Sequence, residues 1–281
     1  MACKTSAGCR LLAAAIALAA GVAGFVAPSA PVALAAGMST WDGLRPEVFG
    51  TRRIDSGLGV VTLKAPFRPE DQRAVPVGIE ARFIDGRTVK SVTLIVDENP
   101  SPVAAVFTLA TEKNQVALKT NIRLNQETHV RAIVEASDGK LYMVSQLVRF
   151  AGGQAACAAP PTGNPEEIAA NMGKMQVANV PVEANASSIA SRVRLKISHP
   201  NHSGMALDQQ SLLYIPLRMI TNLEVSQGGN KLFDMAGSIS LSENPAFEFD
   251  VDLTGEHRIV AKLKDSDGAE WSRELALPAG S

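Results

Sequence analysis

No run of Lys or Arg occurs in the 281 residues, and 27 basic against 28 acidic side chains leave a formal net charge of −1. That balance argues against a surface that gathers phosphates or anionic lipid, and so against nucleic-acid binding. Beyond the N-terminus no stretch is long and apolar enough to cross a bilayer. There is no G-x-S-x-G, no nucleotide-binding Gly loop before a helix, and no ligand cluster beyond one H-x-x-H pair. No hydrolase or oxidoreductase site is therefore legible, and no cofactor is expected. Aromatics are scarce at 5%, so the cores have to come from Val, Ile, Leu and Phe. The length suits one large domain or two small ones.

Cysteine is nearly absent too, with Cys3, Cys9 and Cys157 alone. Lys4 and Arg10 precede the apolar run Leu11 to Val26, and small residues lead to Ala33-Leu34-Ala35. A basic start, an apolar middle and an A-x-A site predict a secretory signal peptide over 1–35, hence export to the periplasm. An uncleaved anchor fits less well, because Pro28 and Pro31 follow the run and a cleavage pattern stands directly after it. Cleavage removes two of the three cysteines. Cys157 is left alone in an oxidising compartment, which suggests intermolecular pairing or a reactive thiol, where a buried small hydrophobe is the common alternative.

From Leu58 to Phe150 short alternating or β-branched runs predict strands at Val60–Lys64, Val75–Phe83, Val89–Val96, Val103–Leu109, Val116–Arg123, Val130–Ser137 and Leu141–Phe150. Asp85-Gly86, Asn99-Pro100 and Asp138-Gly139 supply the turns. Seven short strands without helical periodicity predict an immunoglobulin-like sandwich over 41–150. Residues 177–281 repeat the habit, with strands at Val193–Ser198, Leu213–Met219, Leu223–Ser226, Lys231–Met235, Phe247–Val251, Ile259–Leu263 and Trp271–Leu275. Gly228-Gly229, Asn244-Pro245 and Asp267-Gly268 are the turns here. The fold class is all-β: two immunoglobulin-like sandwich domains joined by a flexible linker with a short helix.

That linker, 151–176, begins as Ala151-Gly152-Gly153-Gln154-Ala155-Ala156-Cys157-Ala158-Ala159-Pro160-Pro161. Without bulk or periodicity it is expected to be an exposed, flexible arm, with Gly152 and Gly153 as its pivot. Fully extended, five residues from Gly152 reach about 17 Å. A helix follows, capped by Asn164, opened by Pro165, and marked on one face by Ile168, Met172 and Met175. Another is expected in Trp41–Arg53. Arg149 is the nearest cation to Cys157 in sequence, and no His or Lys stands close, so a partner is expected to activate the thiol.

On this arm, the first half resembles SoxY, the sulfur carrier of the periplasmic thiosulfate-oxidising system. In the second half, Ile197-Ser198-His199-Pro200-Asn201-His202-Ser203-Gly204-Met205 and Ser242-Glu243-Asn244-Pro245-Ala246-Phe247 resemble its partner SoxZ. Fused, they look like the SoxYZ-like carriers associated with quinoprotein dehydrogenases, to which Val134-Glu135-Ala136-Ser137-Asp138-Gly139-Lys140-Leu141-Tyr142-Met143 and Asp97-Glu98-Asn99-Pro100-Ser101-Pro102 also correspond. The resemblance implies a non-catalytic carrier that holds a sulfur-containing or other thiol-linked intermediate on Cys157. It further implies a closed pair of halves, and as partners periplasmic redox enzymes of Sox type or a quinoprotein dehydrogenase with a cytochrome c. The family's arm sets Cys directly beside its Gly pair, whereas Gln154, Ala155 and Ala156 intervene here and both arm ends are tethered.

Two rival readings stand beside the carrier. His199 and His202 form H-x-x-H and, with Cys157, could make a copper or zinc site in a metallochaperone. Against it, His199-Pro200 reads as a turn whose imidazole caps backbone groups, and the pair could equally serve partner docking. The other rival is a structural docking module for a dehydrogenase, in which Cys157 is incidental. His129 and His257 are isolated, and Asn185-Ala186-Ser187 and Asn201-His202-Ser203 fit the glycosylation pattern. N-terminal sequencing of the exported protein is expected to begin at Ala36, and a sequence beginning at Met1 on membrane-bound material would refute the leader.

Overall fold

The computed structural model describes residues 39–150, 152, 155–180, 191–209, 211–252 and 256–278. The expected leader, Gly153 and Asn185 lie outside the described residues. The first half holds α1 (Thr40–Phe49), β1 (Ile54–Ser56), β2 (Val61–Lys64), β3 (Val75–Arg82), β4 (Val89–Val96), β5 (Val103–Lys113), β6 (Gln115–Ile122), β7 (Thr128–Ala136) and β8 (Leu141–Val148). The second holds α2 (Pro165–Asn171), β9 (Met175–Asn179), β10 (Ser191–Ile197), β11 (Ile220–Gln227), β12 (Asn230–Gly237), β13 (Ala246–Val251), β14 (Arg258–Asp265) and β15 (Glu270–Ala276).

Each half is an immunoglobulin-like sandwich, and the two share their sheets. One sheet runs β1-β8-β7-β4-β5-β12-β11-β14-β15, the other β2-β3-β6-β13-β10-β9. The halves therefore meet strand to strand in both layers. In the larger sheet β5 and β12 pair antiparallel from Phe233↔Leu109 to Gly237↔Ala105. In the smaller one, β6 meets β13 at Lys119↔Glu248, with a further bridge at Ile122↔Leu241. One core runs through the seam: Phe107 stands edge-on to Phe233 at 5.9 Å and to Phe247 at 6.3 Å, and Phe233 to Phe249 at 5.1 Å.

Local sequence accounts for most elements. Val75, Val77, Ile79 and Ala81 alternate inward along β3, the two-residue period of a sheet with one buried face. By contrast, Val92 to Val96 are all buried, because α1 covers the outer side of β4. Ser39 and Asp42 close a capping box at the start of α1, and Trp41 and Phe49 seat on Ile95, Ile133 and Leu141. Arg131 stacks 4.4 Å over the Trp41 ring while its guanidinium grips Asp97 at 2.7–2.9 Å. The Asp138-Gly139 and Asp267-Gly268 hairpins form as expected, with Gly139 and Gly268 at positive φ. α2 starts as read, the Asn164 side chain accepting from the Glu166 N–H at 2.8 Å.

Three expectations change. β1 is a short strand that alternation does not reveal, paired parallel to β8. Leu213–Met219 is no strand; Leu212, Leu213 and Tyr214 project outward in a loop held by isolated bridges at His202↔Arg218 and Leu207↔Tyr214. Met175 belongs to β9 instead of the helix, since α2 ends at Asn171 and Gly173 turns the chain at φ +71°. A Cβ on Gly173 would lie 2.3 Å from the Trp271 indole. Gly173→Ala is accordingly expected to cost about 2–4 kcal/mol, left-handed strain plus overpacking. Denaturant unfolding measures it, and a loss below about 0.5 kcal/mol, the scatter of ordinary surface substitutions, would show that the ring can move aside.

Candidate functional site

Behind β8 the chain passes Gly152, exposed and at φ +92°, and enters a single 3-10 turn over Ala156–Ala158. Contrary to the expected exposed arm, Cys157 has 0% of its surface accessible. The segment lies in the cleft between the halves, where its small side chains fit and polar contacts substitute for bulk. The Ala156 N–H donates to the Leu124 carbonyl at 3.2 Å, and the Ser203 hydroxyl donates to the Cys157 carbonyl. Farther on, Arg73 Nη2 donates to the Pro160 carbonyl at 2.9 Å and to Thr162 Oγ1 at 2.8 Å. Glu243 accepts the Thr162 N–H at 3.1 Å and stands 3.4 Å from Arg73. Leu124 and Arg73 come from the first half, Ser203 and Glu243 from the second. The cysteine is held by both.

The turn that carries Ser203 is built residue by residue from the His-Pro motif. The His199 N–H donates to Asn244 Oδ1 at 3.0 Å, and His199 Nδ1 accepts the Asn201 N–H at 3.0 Å. Asn201, fully buried at φ +45°, donates to the Ser238 and Leu241 carbonyls and accepts the Ile220 N–H at 2.9 Å. The turn is thus bolted to the β11–β12 face. Pro200 offers its carbonyl to Arg123 Nη2 at 3.1 Å.

Arg123 is the residue that sequence reasoning missed. It follows β6, 34 positions before the cysteine by numbering (157 against 123), so proximity in the chain gives no hint. Asn99 Nδ2 binds its carbonyl at 2.8 Å, its own N–H donates to the Ser240 carbonyl at 2.9 Å, and the side chain is buried. Burial pushes the Cys157 thiol above its ordinary pKa, and the Arg123 guanidinium opposes that rise without cancelling it. Burial thus favours the thiol over the thiolate. Arg123, Arg73, His202 and Glu243 also border a small cavity of about 10 Å³ beside Ala156 and Pro160.

The two histidines play separate parts. His202 is half-buried, held neutral first by burial and then by Arg123. His199 is a buried anchor: with Nδ1 accepting, the ring proton sits on Nε2, which faces Asp265 Oδ2 at 3.6 Å. Asp265 also takes Arg218 Nε at 2.7 Å and the Ala269 N–H at 2.8 Å; these donors outweigh burial and keep its carboxyl below the usual range. Only Nδ1 of His199 is committed by a hydrogen bond; Nε2 is buried with no hydrogen-bond partner among the described residues. Among the described residues no three His, Cys, Asp or Glu side chains stand together as a metal site, which leaves the metallochaperone reading without a third ligand. His129 and His257 are exposed.

Burial drives the His199 pKa down to about 4, against 6.5 in an unfolded chain. Below pH 6.5 the unfolded state takes up a proton that the folded state refuses until about pH 4, so stability is full above 6.5 and falls as pH drops through that window. The loss is on the order of 3 kcal/mol at its low end. His199→Asn keeps the bond to the Asn201 N–H as an Asx turn but cannot titrate, and is expected to flatten the melting temperature between pH 6.5 and 4. A slope unchanged in that variant would assign the titration elsewhere.

Residues 45–155 match the family model of the sulfur oxidation protein SoxY, and residues 180–276 that of the sulphur oxidation protein SoxZ. The SoxY match stops at residue 155, before Cys157. No curated protein matches the chain. Among solved structures, the sulfur carrier protein SoxY from Chlorobium limicola f thiosulfatophilum is similar at 22% identity and a TM-score of 0.35, over 40% of this chain and 91% of that one. Two family domains in fixed order, sharing both sheets of one body, make this chain a SoxYZ-like fusion, a SoxY domain followed by a SoxZ domain.

Proposed function

We propose that this chain is a periplasmic, non-catalytic carrier that holds a sulfur-containing or other thiol-linked intermediate covalently on Cys157 and presents it to redox enzymes. Those partners are of Sox type, or a quinoprotein dehydrogenase with its cytochrome c. One observation carries the reading: the single cysteine beyond residue 9 lies just past the SoxY-matched residues, and SoxZ-domain residues hold its segment in place. Both matched families are sulfur oxidation proteins, which supports sulfur as the cargo. Carrier duty asks for a nucleophile that stays quiet between partners. A buried thiol with a raised pKa meets that need, since the thiolate is the reactive form.

Mass spectrometry of protein purified from its own compartment without reductant is expected to find an adduct on the peptide containing Cys157, removable by thiol reductant. Cys157→Ser, which conserves size, is expected to keep the fold and abolish both adduct and pathway flux. Full flux in that variant would favour the docking module.

A further inference from the structure

Cys157 has no accessible surface in the docked segment, and a small cavity bordered by Ala156 and Ala159, about 10 Å³, takes about one water. Any group bonded to Sγ needs more room than that. Loading therefore competes with docking, and the contacts from Arg73, Glu243 and Ser203 are those of the segment with its thiol unmodified.

Linkage gives this competition an energetic meaning. Whatever binds one state and not the other shifts the equilibrium by its own free energy, and here the ligand is the chain's own cleft. We propose that docking of the 156–162 segment raises the group-transfer potential of the cargo on Cys157, because handing the cargo on is coupled to closure of the segment over the bare thiol. The biological cargo in this statement rests on the carrier reading; the coupling itself does not. A disulfide oxidant whose reduced form is stabilised shows the same logic.

Glutathione serves as a defined probe. Its thiolate attacks the glutathione-side sulfur of a Cys157–glutathione disulfide, the bond to Cys157 breaks as the bond of glutathione disulfide forms, and Cys157 leaves as a thiolate that takes one proton from water and docks. No net oxidation occurs. The full chain is equilibrated at set ratios of reduced to oxidised glutathione, and the mixed disulfide at residue 157 is quantified by peptide mass mapping, which keeps Cys3 and Cys9 out of the count. Arg73→Ala removes the donor to Pro160 and Thr162, and Thr162→Val removes the hydroxyl while keeping the shape. Each is expected to shift the exchange constant about tenfold toward the mixed disulfide. At fixed pH, alkylation of Cys157 in the folded state is expected to quicken by the same factor, because both readings report the undocked fraction. Arg73→Lys is expected to fall between.

Faster alkylation with an unmoved exchange constant would overturn the coupling, as would wild-type alkylation as fast as that of an unfolded peptide. Agreement of the two factors in a protein that carries no native adduct would keep the coupling and sink the carrier reading. A native adduct with disagreeing factors would do the reverse.

Discussion

The antiparallel hydrogen bonding of β5 with β12 is the constraint on which the rest of this molecule depends. It turns two sandwiches into one body with a common core, and sets Phe107 of one half among Phe233 and Phe247 of the other. It also brings the β6 terminus, with Arg123 and Leu124, up to the His-Pro turn. The cleft that receives Cys157 is walled by residues from both sides of that seam. Without the seam the cysteine segment would have half a binding site and no reason to be ordered, since its own side chains bury too little surface.

Much of the fold was legible because it rests on local chemistry. Alternation in β3, the Asp-Gly hairpins and the Asn164-Pro165 helix start are decided by residues a few positions apart. Seam pairing was not, since β5 and β12 carry nothing in their sequences to show that they extend one sheet. Leu213–Met219 looked like a strand because it is apolar, yet no neighbouring strand offers it a ladder.

The site divides along the same line. Cys157 stood out by scarcity, and the His-Pro motif by its residue types. The reading of His199 as a turn anchor agrees with its bond to the Asn201 N–H. Burial of the thiol escaped, because it depends on Arg73, Arg123, Ser203 and Glu243, each distant in sequence and each ordinary alone. Small residues read as freedom; in a cleft of the right width they are what fits.

The double tether has one further consequence. A free tail that docks gives up the conformational freedom of its whole length. The segment here is pinned by β8 before it and by α2 after it, so most of that freedom was lost when the two halves closed. Loop-closure entropy grows only with the logarithm of loop length, so the further loss on docking is modest. A few polar contacts are then enough to hold the segment. Fusing the two halves in one chain thus lowers the entropic cost of keeping Cys157 in its buried place.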